Sequence, residues 1–129
     1  MKIDNLKGLS GADQYQNLLY YASGGMGIIY SAKDSVTNED VAIKAIRIDD
    51  HDYKTILENE FKIATALSHE NILRTEYYNE FDNSSGYYFY CVSEFCSAGN
   101  LRKRILNESQ FIPLSECLSY FYDLLRGLQ

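Results

Sequence analysis

The chain has 129 residues, 46% of them hydrophobic and 23% charged, with one proline and eight glycines. This composition suits one folded globular domain and argues against a disordered, collagenous or low-complexity chain. Eighteen acids against twelve bases leave a net charge of −6. That argues against the basic footprint of a nucleic-acid binder or a polybasic membrane-surface patch.

Residues 1–13, with Gly8, Ser10 and Gly11 among mixed charges, read as a loosely held arm. Tyr15 to Tyr21 is rich in aromatic residues and suits a strand. It enters the glycine-dense turn Ala22-Ser23-Gly24-Gly25-Met26-Gly27, and Ile28 to Lys33 reads as the returning strand. Asp34 to Asp40 is polar and turn-forming. Val41 to Ile48 is a third strand, apolar on both faces except for Lys44 and Arg47. An acidic connector follows, with Asp52 the expected helix N-cap. Ile56, Leu57, Ile63, Ala64 and Leu67 then recur at helical spacing, so the pattern predicts an amphipathic helix over residues 53–68 with Glu60 on its apolar stripe. Two further strands, Leu73 to Phe81 and Tyr87 to Phe95, flank the hairpin turn Asp82-Asn83-Ser84-Ser85-Gly86. Gly99-Asn100 opens a short helix through Leu106. Pro113 and Ser115 begin a last one, whose Leu114, Cys117, Leu118, Phe121, Leu124, Leu125 and Leu128 form a single apolar face. The order is five strands with a helix after the third, then two helices, with no internal repeat.

Three features carry chemistry together. Gly24, Gly25 and Gly27 allow backbone amides to approach a ligand, as in loops that wrap phosphates, although glycine turns also join strands for purely structural reasons. Lys44 shares a strand face with Ala42 and Ile46. It either snorkels to water or holds an anion or a carboxylate. Glu60, on the apolar stripe, requires a cation or must turn outward. Because consecutive elements usually lie against each other, Lys44 is its expected partner.

The order of glycine loop, Val41-Ala42-Ile43-Lys44, helix glutamate and Glu94-Phe95 hinge resembles the N-terminal lobe of a Hanks-type serine/threonine protein kinase. Gly24-Gly25-Met26-Gly27 with Ile29-Tyr30 is similar to the bacterial members. Leu67-Ser68-His69-Glu70-Asn71-Ile72 resembles the segment after the family's helix C, its histidine nine residues beyond Glu60. The resemblance runs from about Tyr15 to the end.

It implies an α+β fold: a five-stranded antiparallel sheet with one packed helix, a hinge, and the first two helices of a truncated C-lobe. The implied boundaries are an arm over 1–13, lobe and hinge over 14–96, and the start of a second lobe over 97–129. It implies ATP as the cofactor, covered by Tyr21, Ala22, Ser23, Gly24, Gly25, Met26 and Gly27, with the amides of Ser23 to Gly27 over the phosphates. Lys44, held by Glu60, contacts the α- and β-phosphates. Ile29 and Ala42 lie over the adenine, backbone groups of Glu94 and Cys96 bond its edge, and Asn100 takes a ribose position. Ser93 occupies the position that limits access to the back pocket, and its small side chain implies a roomy one. Ala22 stands where the family's first loop glycine normally is, which implies a stiffer or slightly displaced loop end.

The family's His-Arg-Asp loop, metal-binding asparagine and Asp-Phe-Gly do not occur before Gln129. Phosphoryl transfer needs that apparatus. The chain alone is therefore expected to be inactive, with Mg2+ and a protein substrate engaged only in a complete kinase, and with the last helix available for self-association or partner docking. The alternative is a non-catalytic kinase-like interaction module. A P-loop hydrolase fits poorly, since no Gly-x-x-x-x-Gly-Lys-Ser/Thr is present.

Cys91, Cys96 and Cys117 lack metal-ligand spacing, and no metal site is expected. His69 reads as a structural residue at a helix exit, and His51 as a surface one. The tyrosines at 77, 78, 87, 88 and 90 read as strand filling. The opening residues lack a signal peptide's apolar stretch, and no apolar run reaches the roughly 20 residues of a membrane span, so a soluble cytoplasmic protein is expected.

Overall fold

The structure is a computed structural model that describes residues 14–84, 86–107 and 111–129. The expected arm over 1–13, and Ser85 of the hairpin turn, lie outside the described residues. The elements are β1 (Tyr15–Gly24), β2 (Gly27–Asp34), β3 (Asp40–Arg47), α1 (His51–Ala66), β4 (Thr75–Asn83), β5 (Gly86–Glu94), α2 (Leu101–Asn107) and α3 (Leu114–Gly127). The five strands form one antiparallel sheet in the order β1-β2-β3-β5-β4. Two compact units divide the described chain. One holds the sheet and α1, and the other holds residues 69–73 and 96–129. No described helix is long and apolar enough to cross a membrane.

Strand alternation gives the sheet two working faces. On one face Tyr15, Tyr30, Val41, Ile43, Ala45, Phe81, Tyr88, Tyr90 and Val92 are buried together. Burial first, then the charges of Asp34, Glu76 and Tyr77, raise the Tyr15 phenol pKa. On the other face Ile46, Phe89 and Cys91 meet Leu57 and Phe61 of α1.

The helix departs from its expected frame in two ways. Its N-cap is Asp50, not Asp52: with φ −140° and ψ 139°, Asp50 accepts the Asp52 N–H at 3.2 Å, so α1 begins at His51. Its buried residues are Leu57 and Phe61, whereas Ile56, Ile63 and Leu67 are 54%, 63% and 44% exposed. The cause is aromatic. Phe61 meets Phe89 at 5.7 Å and Tyr78 at 5.9 Å, and Tyr78 stacks on Phe89 at 6.0 Å. Burying a side chain of this size gains about 1.5–3 kcal/mol, and a ring set against Tyr78 and Phe89 adds about 0.5–1.5 kcal/mol per aromatic pair beyond its area.

Asp34 anchors the β2–β3 turn. Burial pushes its carboxyl pKa up, but donation from the Val36 N–H, the Gln14 amide and the Thr37 N–H outweighs burial and holds it below the usual carboxylate range. A depressed folded pKa contributes stability above the unfolded value, near ~3.9, that disappears as pH falls through the folded one. Asp34→Asn is therefore expected to be less stable than the native chain at pH 7, with the gap narrowing in urea melts as pH falls below about 3.9.

In the second unit Arg104 of α2 makes a two-pronged contact with Glu116 of α3, at 3.1 and 3.2 Å. Glu116 also accepts from Tyr120 Oη at 2.6 Å. Arg126 pairs with Glu70. The apolar face expected to be buried on α3 is open among the described residues: Leu114, Leu118, Phe121, Leu124, Leu125 and Leu128 are 60–75% exposed.

Candidate functional site

The β1–β2 turn pairs Gly24 with Gly27 across Gly25-Met26. Gly27 alone of the three loop glycines is demanded by the fold: its φ is +115°, and a Cβ there would stand 2.3 Å from the Ala45 carbonyl oxygen. Gly24 and Gly25 have no left-handed backbone, and a Cβ at either would meet nothing within 4 Å, so their bareness serves neither turn nor packing. Ala22, paired with Ile29, follows an irregularity in the β1–β2 register between Tyr20 and Ala22 and has no positive φ. Ser23 Oγ lies 2.9 Å from Tyr20 Oη. Tyr21 meets Phe95 edge-on at 5.2 Å.

Register fixes the neighbours of Lys44. Ile29 and Cys91 flank it across β2 and β5, while Ser31 and Ser93 flank Ala42. These residues share the sheet face that carries α1, because Ile46 and Cys91 contact Leu57 and Phe61 there. Lys44 and α1 are thus on the same side. Burial pushes the Cys91 thiol pKa up, and the neighbouring Lys44 ammonium pulls the other way. Lys44 is half-buried, and among the described residues it forms no ion pair. Gly27, held against Ala45, seats the turn one residue from Lys44 along β3.

A protein kinase domain model matches residues 17–129. The chain belongs to the protein kinase family. It is 30% identical over 129 residues to glycogen synthase kinase 1 of Pyricularia oryzae, covering 97% of this chain and 32% of that protein. It is also 30% identical over 129 residues to the serine/threonine-protein kinase PknA of Corynebacterium glutamicum, 97% of this chain and 27% of that protein. A third relative, serine/threonine-protein kinase pakA of Dictyostelium discoideum, is 30% identical over 117 residues, 89% of this chain and 9% of that protein. The chain spans about a third or less of the length of these relatives.

The sheet and α1 have the order of a kinase N-lobe. Within this kinase lobe Lys44 and Glu60 are not joined: Glu60 is exposed and makes no ion pair among the described residues. The expected clamp is open in this structure, where α1 is rolled with Leu57 and Phe61 against the sheet. With Leu57 and Phe61 turned to the sheet, Glu60 stands about 100° round the helix from Phe61. Glu94 holds Arg74 at both ends, its carboxylate accepting the Arg74 N–H at 2.8 Å and its own N–H donating to the Arg74 carbonyl at 3.1 Å. Cys96 and Asn100 belong to the second unit, where Cys96 is exposed and Asn100 Oδ1 accepts the Lys103 N–H at 2.9 Å, capping α2. His69 Nδ1 accepts the Asn71 N–H at 3.0 Å, in keeping with a structural role. Sequence spacing did not single out Lys54, Glu80 and Tyr87, which the fold brings together over 26 to 33 residues of chain.

Proposed function

We propose that the sheet and α1 grip ATP as the nucleotide-binding lobe of a serine/threonine protein kinase, with the γ-phosphate passing to a protein hydroxyl in a complete enzyme. The observation that carries this reading is half-buried Lys44, without a carboxylate partner among the described residues, near a turn whose Gly24 and Gly25 are bare without need of the fold. A cation with donors to spare near a glycine turn suits a polyanion. Lys44 holds the α- and β-phosphates, the amides of Ser23 to Gly27 cover them, and Ile29 and Ala42 supply the apolar surface for the base. Glu60 orients Lys44 once α1 brings it within reach. Backbone groups of Glu94 add to the nucleotide contacts of this unit. Serine or threonine specificity is supported by the relatives' names.

Magnesium in this family neutralises the charge that develops on the transferring phosphoryl group. Among the described residues no three His, Cys, Asp or Glu side chains gather as a metal site. The sequence holds neither His-Arg-Asp nor Asp-Phe-Gly, so the 129-residue chain by itself is inactive in phosphoryl transfer. A second reading, a non-catalytic kinase-like docking module, draws on the open apolar face of α3.

Titration of the chain with a fluorescent ATP analogue decides between them. Saturable binding that ATP competes away, and that Lys44→Met weakens, supports the nucleotide-binding lobe. Binding unaffected by Lys44→Met, or none at millimolar nucleotide, favours the module.

A further inference from the structure

The sheet unit holds a cavity of about 270 Å3 that the proposed nucleotide contacts do not use. Asn17 and Leu19 of β1, Ser31 and Lys33 of β2, Asp40 of β3 and Phe95 form its walls. Ser31 pairs with Ala42, so the cavity borders the strand face of Ile29 and Ala42 at its outer end. Its origin is an irregularity in β1. The β1–β2 register shifts between Gln16 and Leu19, and Asn17 between them has a φ of +55°. Such a bulge takes a residue out of the ladder and bends the strand, and asparagine accepts the left-handed angle better than most residues. Leu19, back in register opposite Ser31, is left 62% exposed at the cavity wall. Lys33 and Asp40 bound another side as an ion pair at 3.3 Å.

Size narrows the occupant. Small-molecule sites run to roughly 300–1,000 Å3, so this one falls short of a cofactor and suits one or two aliphatic side chains. Leu19, Phe95 and the stem of Lys33 offer apolar surface, whereas Asn17, Ser31 and Asp40 offer hydrogen bonds. A peptide segment matches both, with its apolar side chains set beside a polar backbone. The nearest such segment is the chain's own. Gln14 is tied to the end of β2, its side-chain amide donating to Asp34 at 3.0 Å and its carbonyl accepting the Ser35 N–H at 2.8 Å. Asn17 is three residues further on, about 10 Å of extended chain. Residues 1–13, outside the described residues, therefore join the sheet beside the cavity. Their sequence places Leu9 and Leu6 five and eight residues before Gln14, with Lys7 between them. Extended chain of those lengths spans roughly 17 and 27 Å, enough for either leucine to return, and Gly8 and Gly11 permit the reversal.

We propose that residues 1–13 dock back on the sheet, with Leu9 seated in the cavity between Leu19 and Phe95, Leu6 beside it, and Lys7 at the Asp40 carboxylate. The Asp40 side chain is 69% exposed and has acceptor capacity beyond Lys33. Because the segment is tethered, it meets the cavity at an effective concentration in the millimolar range, so a contact of modest strength is well populated. Seated there, it borders the surface of Ile29 and Ala42 and closes its outer end. The contact itself does not depend on nucleotide.

Trypsin cleavage after Lys7 tests the docking in the 129-residue chain, since cleavage of a segment that opens and closes quickly follows the fraction that is open. Leu19→Ser is expected to speed this cleavage about tenfold or more, the effect of losing one apolar contact of leucine size. Leu19 is remote from the cut bond in sequence, so trypsin's local preference is unchanged. Circular dichroism melts establish that the variant is folded, and Phe95→Ala replaces it if it is not. In the native chain, nuclear Overhauser contacts are expected between Leu9 methyl groups and the Phe95 ring. A cleavage rate unchanged in the folded variant overturns the docking, and so does the absence of those contacts, whatever the rate. Protection that grows with protein concentration also overturns it, since the segment then sits on a second copy of the chain.

Discussion

Lys44→Met is expected to weaken binding of an ATP analogue by roughly ten- to a hundredfold, the loss of about 1.5–3 kcal/mol for hydrogen bonds to a charged group. Thermal stability should barely move. Lys44 has no ion pair to lose among the described residues, so methionine strands no buried carboxylate. Methionine also keeps the stem that lies among Ile29, Ala42 and Ile46. A paired lysine behaves differently, because removing one partner of a half-buried pair leaves the other uncompensated and lowers stability along with affinity. Isothermal titration beside a thermal melt distinguishes these cases. Lower affinity at constant melting temperature identifies a ligand-facing cation. A lower melting temperature with affinity unchanged assigns Lys44 to the fold and leaves the docking-module reading in possession.

The architecture was legible because it rests on short-range rules. Strand alternation, the glycine turn and the Asn/Ser/Gly hairpin chemistry mark where strands begin and end, and five strands with one helix after the third is the order found. Lys44 on the α1 face also follows from alternation alone, since residues two apart share a face. What spacing could not supply is the roll of α1. Ile56-Glu60-Ile63-Leu67 and Leu57-Phe61 are both acceptable stripes on one helix. The choice depends on Tyr78 and Phe89, some 17 and 28 residues further along the chain, whose rings select Phe61. The same roll decides whether Glu60 reaches Lys44, so the fate of the expected clamp lay in tertiary contacts. Asp50 over Asp52 as cap is a smaller case. Both are N-cap residue types, and the extended backbone at Asp50 settles it.

The glycine turn offers the sharpest separation of fold from function, because its glycines do different things. Gly27→Ala is expected to cost about 3 kcal/mol or more: roughly 1–3 kcal/mol for an alanine held at a left-handed backbone angle, with the displaced β3 carbonyl added to it. For a domain of about 100 residues that lowers the melting temperature by roughly 10–20 °C. The cost is unavoidable in place, since the atom a Cβ would strike is the backbone oxygen of Ala45, which cannot swing aside as a side chain could. Gly25→Ala meets nothing within 4 Å and needs no unusual φ, so stability should stay within about 0.5 kcal/mol. If amides at this turn close on a polyphosphate, the new methyl group blocks their approach and ATP affinity falls several-fold at unchanged stability. Melting and nucleotide titration of both variants make the comparison. Should Gly25→Ala leave affinity as it was, the turn is a hairpin and no more, and the phosphates must be held elsewhere.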